Sequence, residues 1–301
     1  VQTCALPIYF LEFRYGPMVR GAVSVLLWIG AIFILAGQLL AVGAILETVA
    51  GIPARIGCLV GGVVITAATV LPPGSHVYLY RELPDEVVVP YPVPVLHRDE
   101  NIVVVDKPHF LATMPRGGHV AQTALVRLRR ELELPELSPA HRLDRLTAGV
   151  LLFTTRREVR GAYQTMFARG LTRKTYLARS SATPDVDLPT VVRSRIIKRR
   201  SQLQAFEEPG EPNAETLVEA LGDGVYRLTP HTGRTHQLRV HMAALGLPID
   251  NDPLYPDVID VAADDFTAPL RLVAHRLEFD DPLTGESRSF VSSRGLADDP
   301  H

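Results

Sequence analysis

Cysteine is nearly absent: Cys4 and Cys58 are the only two in 301 residues. Neither belongs to a CxxC pair, and two isolated thiols cannot build a disulfide framework or a four-cysteine zinc site. A reducing, cytoplasmic setting is therefore the expectation. Phosphate-cradling signatures are missing too, since no GxxxxGK[ST] or GxGxxG loop occurs. His231, His236 and His241 are spaced by five, which keeps them off a common helical face, and no HExxH is present. Asp250 and Asp252 lack the glycine and terminal glutamate of a calcium loop. The sequence implies no cofactor and no metal. No internal repeat is evident.

What is present suffices for a packed core: 47% hydrophobic and 21% charged residues exclude wholesale disorder. The net charge of −2 conceals a segregated pattern. Residues 141–200 carry 14 basic and 4 acidic side chains, whereas 201–301 carry 7 and 18. A basic block of +10 in an acidic frame is what a polyanion would feel.

Composition changes near Arg81, which divides the chain into an apolar N-terminal segment, 1–80, and a catalytic domain, 81–301. Gly21 to Leu46 is a run of 26 uncharged residues, long enough to span a bilayer. A membrane span there is the less favoured reading. A buried helix in a small domain and a stretch of non-native sequence are the others. Val63–Ile65 reads as a β-run.

Beyond the proline-rich link Pro84–Pro94 the pattern is that of an α+β enzyme. Asn101–Val105, Gly149–Phe153, Lys174–Ala178 and Val225–Thr229 read as strands. Ala121–Leu132 has helical spacing, and Thr155 with Glu158 forms a capping-box pattern before a helix ended by Gly170. His236–Leu245 reads as a helix stopped by Gly246.

Chemistry concentrates in His141-Arg142-Leu143-Asp144-Arg145-Leu146-Thr147-Ala148-Gly149. A carboxylate sits between two arginines, just before a strand, at the head of the basic block. Such a motif alone is compatible with a structural ion pair. Glycosidic hydrolysis normally uses two facing carboxylates, and only one is obvious here. A single carboxylate among arginines suits covalent chemistry on an anionic substrate, with the carboxylate as nucleophile. A second stretch, Thr232 to Met242, places Arg234 and Arg239 across the start of a helix, an anion-friendly location.

HRLDRLTAG, RKTYLA, TGRTHQLRVHMAALGLPI and NDPLYP, in this order, resemble the RluA-type pseudouridine synthase family over about Val95 to Phe290. The resemblance implies a pseudouridine synthase fold: a mixed, mostly antiparallel sheet with flanking helices around a basic cleft. It implies Asp144 as the catalytic aspartate and Arg142 as the arginine that helps displace the target nucleotide. Tyr176 would stack under the target base, and Arg239 would pair with the aspartate. Arg234 and Gln237 would shape the cleft or hold backbone phosphate. The expected partner is ribosomal or transfer RNA, bound by a monomer. A non-catalytic RNA-binding protein on the same fold and a membrane-anchored synthase are the alternatives. The sequence departs from the family pattern at Ala148, Asn251, Phe110 and Met114, where Ser, Gly, Gly and His are common. Arg55–Val64 and Pro73–Tyr78 faintly resemble the second half of an S4-type RNA-binding domain.

Overall fold

The computed structural model describes residues 25, 28–38, 40–41, 86–116, 119–200 and 202–296. The chain divides into two compact units, Val1–Tyr80 and Arg81–His301. In the first, residues 28–38 are helical, with Trp28, Phe33 and Ile34 exposed. Among the described residues no helix is long and apolar enough to cross a membrane. The expected β-run at Val63–Ile65, the S4-like stretches and parts of the 21–46 run lie outside the described residues.

The second unit is organised by two strands, β2 (Ile102–Lys107) and β4 (Ala148–Thr154), whose residues are all buried. A continuous apolar run is what a strand covered on both faces requires. Val103, Val105, Leu151 and Phe153 pack with Leu125 and Leu128 of α1 (Ala124–Glu131). The alternate residues Ile102, Val104, Val150 and Leu152 meet Val159, Tyr163 and Met166 of α2 (Arg157–Ala168). Each such burial contributes about 1.5–3 kcal/mol, and a one-residue slip would exchange the two sets. The antiparallel register, with Val104 opposite Leu152, is thereby fixed.

β1 (Val95–Arg98) borders β2, and the short β3 (Ser138–Pro139) pairs with β4. Beyond β4 come β10 (Leu272–Asp280), β5 (Thr172–Arg179), β9 (Val225–Pro230), β8 (Ala214–Gly222), β6 (Thr190–Ile197) and β7 (Phe206–Glu208). β11 (Ser287–Val291) pairs with β10 and completes an 11-stranded sheet. Only the β4–β10 ladder is parallel among the described residues, in accord with the expected mixed, mostly antiparallel α+β fold. A third core forms where Leu238 and Met242 of α3 (Gln237–Ala244) pack on Ala178, Val218, Tyr226 and Leu228.

Two local expectations change. The capping box at Thr155 does not form: α2 starts after Arg156 without a side-chain cap, and the Thr155 hydroxyl donates to the Glu100 carbonyl instead. Strands β6, β8, β10 and β11 carry no strong sequence signal and arise from their pairing partners.

The parallel contact of β4 with β10 demands a glycine. Gly149 has φ +111°, and a Cβ there would lie 2.3 Å from the Ala274 carbonyl oxygen. Because Gly149 ends the HRLDRLTAG motif, its backbone also sets where that loop enters the sheet. We expect Gly149→Ala to destabilise the domain by about 2 kcal/mol or more. Urea unfolding followed by circular dichroism measures this, and an unshifted midpoint would refute the close-approach argument.

Candidate active site

Asp144 lies on the connection between β3 and β4, in neither helix nor strand. Its carbonyl accepts the Thr147 N–H at 3.1 Å, closing a turn. Neighbouring carbonyls are bound by side chains from the segment after β2. The Thr113 hydroxyl donates to the Leu143 carbonyl at 2.8 Å and accepts the Leu143 N–H at 3.1 Å. Lys107 Nζ reaches the carbonyls of Leu111 at 2.7 Å, Pro108 at 3.0 Å and Arg145 at 3.3 Å. His109 Nδ1 donates to the Leu146 carbonyl at 2.7 Å. At the start of the loop His141 stacks on Phe167 with centroids 4.3 Å apart, and its Nε2 accepts the Leu152 N–H.

Burial shapes the titration of these groups. It lowers Lys107 to about 7, with the negative charge of Asp144 opposing the shift. It lowers His109 to about 4, against the bond to the Leu146 carbonyl, and His141 to about 3, helped by the positive charge of Lys174. It raises the Tyr176 phenol, and the adjacent Asp144 charge adds to the effect.

Arg142, Asp144, Tyr176, Arg234, Gln237 and Arg239 all line one cleft of about 340 Å³. Tyr176 stands on β5, paired with Leu228 and Ala274 on either side. Arg142 and Arg234 are exposed, whereas the Asp144 side chain is 30% exposed. Lys174, whose pKa burial lowers, adds a further cation to the wall.

Two expected roles are redistributed. Arg239 pairs with Asp252, not with Asp144: Nε lies 2.7 Å from Oδ2 and Nη2 lies 2.5 Å from Oδ1. Asp252 is fully buried, so it needs the guanidinium as a direct partner, while Asp144 keeps access to solvent. Oδ1 of Asp252 also accepts the N–H groups of Leu254 and Tyr255. Burial alone would lower the Arg239 pKa; its bond to Asp252 and the charges of Asp252 and Asp144 raise it. Asp144 thus feels Arg239 through space.

Gln237 is the second case. Its Nε2 donates to the Glu215 carbonyl and the Thr216 hydroxyl, both at 2.9 Å. Its Oε1 accepts from the Thr232 hydroxyl and the Arg234 N–H. Every amide bond is spent on the protein, which makes Gln237 a shaper of the cleft wall and leaves it no donor for phosphate.

The residues not expected from sequence are Lys107, His109 and Thr113 under the loop, Asp252 behind Arg239, and His236 beside Asp144. His236 Nε2 is 3.9 Å from Asp144 Oδ2, and its Nδ1 is 3.0 Å from the Tyr255 hydroxyl. The three spaced histidines do not converge: His241 bonds Thr216 and Ser194 instead. Among the described residues no group of three His, Cys, Asp or Glu side chains could hold a metal ion.

A carboxylate on a braced loop, an aromatic ring on β5 and a cationic rim make a cleft that could receive an anionic, ring-bearing molecule. The profile of the family described as RNA pseudouridylate synthase matches residues 101–244. The dual-specificity RNA pseudouridine synthase RluA of Salmonella typhi is 34% identical over 208 residues, covering 65% of this chain and 90% of that protein. Human pseudouridylate synthase RPUSD2 is 35% identical over 172 residues, which is 56% of this chain and 31% of that protein. The chain therefore spans less than a third of the length of that human relative. The structure of human RNA pseudouridylate synthase domain containing 4 superposes with a TM-score of 0.52 at 25% identity, covering 66% of this chain and 88% of that one. The chain belongs to the RluA-type pseudouridine synthase family.

The braced loop makes an acid-stability prediction. An unfolded histidine binds its proton near pH 6.5, about 2 units or more above the folded His109 and His141 sites. Between about pH 6.5 and 4 the unfolded state binds more protons, so stability falls as pH falls. Tm measured by calorimetry should drop between pH 7 and 4.5, and His141→Gln should reduce that drop. A level Tm in the parent would contradict buried neutral histidines.

Proposed function

We propose that this protein isomerises uridine to pseudouridine in structured RNA, ribosomal or transfer, with Asp144 as the nucleophile. The observation that carries the reading is the placement of Asp144. It lies on a rigid loop in a basic cleft, next to the Tyr176 ring, with its cation partner Arg239 committed elsewhere. A carboxylate without a direct guanidinium partner keeps its lone pairs available for attack.

The reaction breaks the N1–C1′ bond, turns the base and joins C5 to the sugar. It consumes no reductant and no phosphate donor. The target base must leave its stack to reach Asp144, which gives Arg142 and Tyr176 their parts: a cation at the rim to fill the vacated place, and a platform beneath the base. Arg234, anchored through Nε to the Asn213 carbonyl at 3.1 Å, turns the rest of its guanidinium to the rim where backbone phosphate would pass. A non-catalytic RNA-binding role would not need Asp144 and Tyr176 in one cleft. The reducing setting inferred from two isolated cysteines makes the cytoplasm the proposed location.

We expect Asp144→Asn to abolish pseudouridine formation while RNA affinity stays within about twofold, because affinity is spread over many cations. Mapping pseudouridine in total RNA after incubation with parent and variant tests the first part, and filter binding of the same RNA tests the second; substantial turnover by the variant would overturn the assignment.

The β6–β7 hairpin gives a further prediction. Arg193 is paired with Glu215 and Arg199 with Glu208, whereas Arg195 and Arg200 have no ion pair among the described residues. Removing a phosphate contact lowers the log–log salt slope of RNA binding by roughly 0.7–0.9. The double change Arg195→Ala/Arg200→Ala should therefore flatten the slope, whereas Arg193→Ala should do so less. Equal slopes for parent and double variant would move the RNA path off this hairpin.

A further inference from the structure

His236 has an unusual setting for a helix-capping residue. It precedes α3 in the left-handed conformation, φ 57° and ψ 17°, and makes no capping bond with its side chain. Its ring is instead turned into the cleft, only 12% exposed, with one nitrogen toward Tyr255 and the other toward Asp144. The Tyr255 hydroxyl is itself clamped. It accepts the Ala205 N–H at 2.6 Å and donates to the Ala205 carbonyl at 3.0 Å.

This arrangement determines the tautomer. A phenol has one proton to give, and the Ala205 carbonyl receives it. The Nδ1 of His236, 3.0 Å from the same oxygen, must then be the donor. In a neutral imidazole the other nitrogen is left with its lone pair. That lone pair faces the cleft, beside the carboxylate that attacks the substrate.

Four charged groups face the ring: Asp144 from the loop, Arg239 from α3, Asp252 from the segment before Tyr255, and Lys198 from the end of β6. Burial lowers the histidine pKa, Arg239 and Lys198 act in the same sense, and the two carboxylates oppose them. The balance lies below the ordinary histidine range and favours the neutral ring, the form that can accept a proton.

We propose that His236 is a second catalytic residue, the base that removes the proton from C5 of the target uracil through Nε2. The proposal rests on the pseudouridine synthase reading above. When C5 has joined C1′, it carries both hydrogen and sugar, and the ring has a C6=N1 double bond. Nε2 takes the hydrogen as a proton, and the C5–H electron pair becomes the C5=C6 double bond. The former C6=N1 pair moves onto N1, which takes a proton, and the imidazolium gives its own back. No oxidant or metal enters the balance. While charged, the imidazolium lies against Asp144, whose carboxylate is free again at that stage, and Nδ1–H stays on Tyr255. The pair therefore works in sequence, carboxylate first and imidazole second.

Two variants keep the left-handed backbone. His236→Asn retains a polar group near Nδ1 and removes Nε2; His236→Gly suits the positive φ and opens a slot the size of the ring. The substrate is a transfer or ribosomal RNA transcript that the parent converts, made with uridine or with 5-deuterouridine. At saturating RNA both variants should be slower by about tenfold or more, with RNA affinity within about twofold. Deprotonation then limits the rate, so the 5-deuterium isotope effect should exceed the parent's. Added imidazole should restore turnover to His236→Gly. A histidine that merely packs or orients Asp144 would slow the earlier bond cleavage. The isotope effect would then not rise, and imidazole would not rescue; that result overturns the proposal and leaves the Asp144 chemistry standing. Variant rates within about twofold of the parent would overturn it equally. A parent inactive on every transcript would instead overturn the enzyme reading, and this one with it.

Discussion

The carbonyl groups around Asp144 impose the constraint on which the site depends. A loop with no helix or strand partners leaves its backbone acceptors unpaired, and each such group away from water costs about 1–3 kcal/mol. Thr113, Lys107 and His109 satisfy the carbonyls of Leu143, Arg145 and Leu146 in turn. The short stretch from Lys107 to Thr113 is therefore the floor on which the Asp144 loop stands. That floor is fastened in turn: Asp106 accepts the hydroxyls of Ser292 and Ser293 and the Ser293 N–H, and Arg294 Nη2 donates to its carbonyl. Adjacent residues on a strand point to opposite faces. Asp106 therefore ties β2 to the C-terminal segment while Lys107 ties the same strand to the Asp144 loop.

Charge allocation follows the same logic. A buried carboxylate without a partner is costly, and removing one member of such a pair typically costs about 3–5 kcal/mol. Asp252 holds Arg239 in a two-point bond within the protein, with the Tyr255 ring 5.2 Å from the guanidinium carbon. Asp144 is left with long-range neighbours and a solvent-facing edge. One aspartate is consumed in holding the cleft wall, and the other stays open to the cleft.

Much of this was legible in the sequence, and the failures have physical causes. Asn101–Val105 and Gly149–Phe153 announce strands because α1 and α2 cover both faces and leave no polar alternation to confuse. Ala214–Gly222 is rich in helix formers yet is strand β8, because β6 and β9 on either side fix its backbone. The cleft residues Arg142, Asp144, Tyr176 and Arg234 were readable from motifs, since motif order constrains which loops meet. Partnerships were not. Which carboxylate Arg239 serves depends on relative burial, and burial is decided by packing far from either residue. His236 looked like one of three spaced polar histidines; its left-handed backbone and its place beside Asp144 are visible only in the structure.

The family-pattern departures make the same point about backbone. Phe110 and Asn251 stand where glycine is common, and both keep positive φ, 65° and 60°. Left-handed backbone costs an L-residue roughly 1–2 kcal/mol. At Phe110 the ring packs edge-on against Phe266 at 5.2 Å and tilted against Tyr91 at 6.4 Å, burying apolar area that offsets the strain. At Asn251 the side-chain amide donates to the Pro269 carbonyl at 3.0 Å. The chain turns at Phe110 between Lys107 and His109 on one side and Thr113 on the other, and all three bond the same loop. A glycine at this bend would avoid the strain but would lose the ring contacts that Phe110 makes.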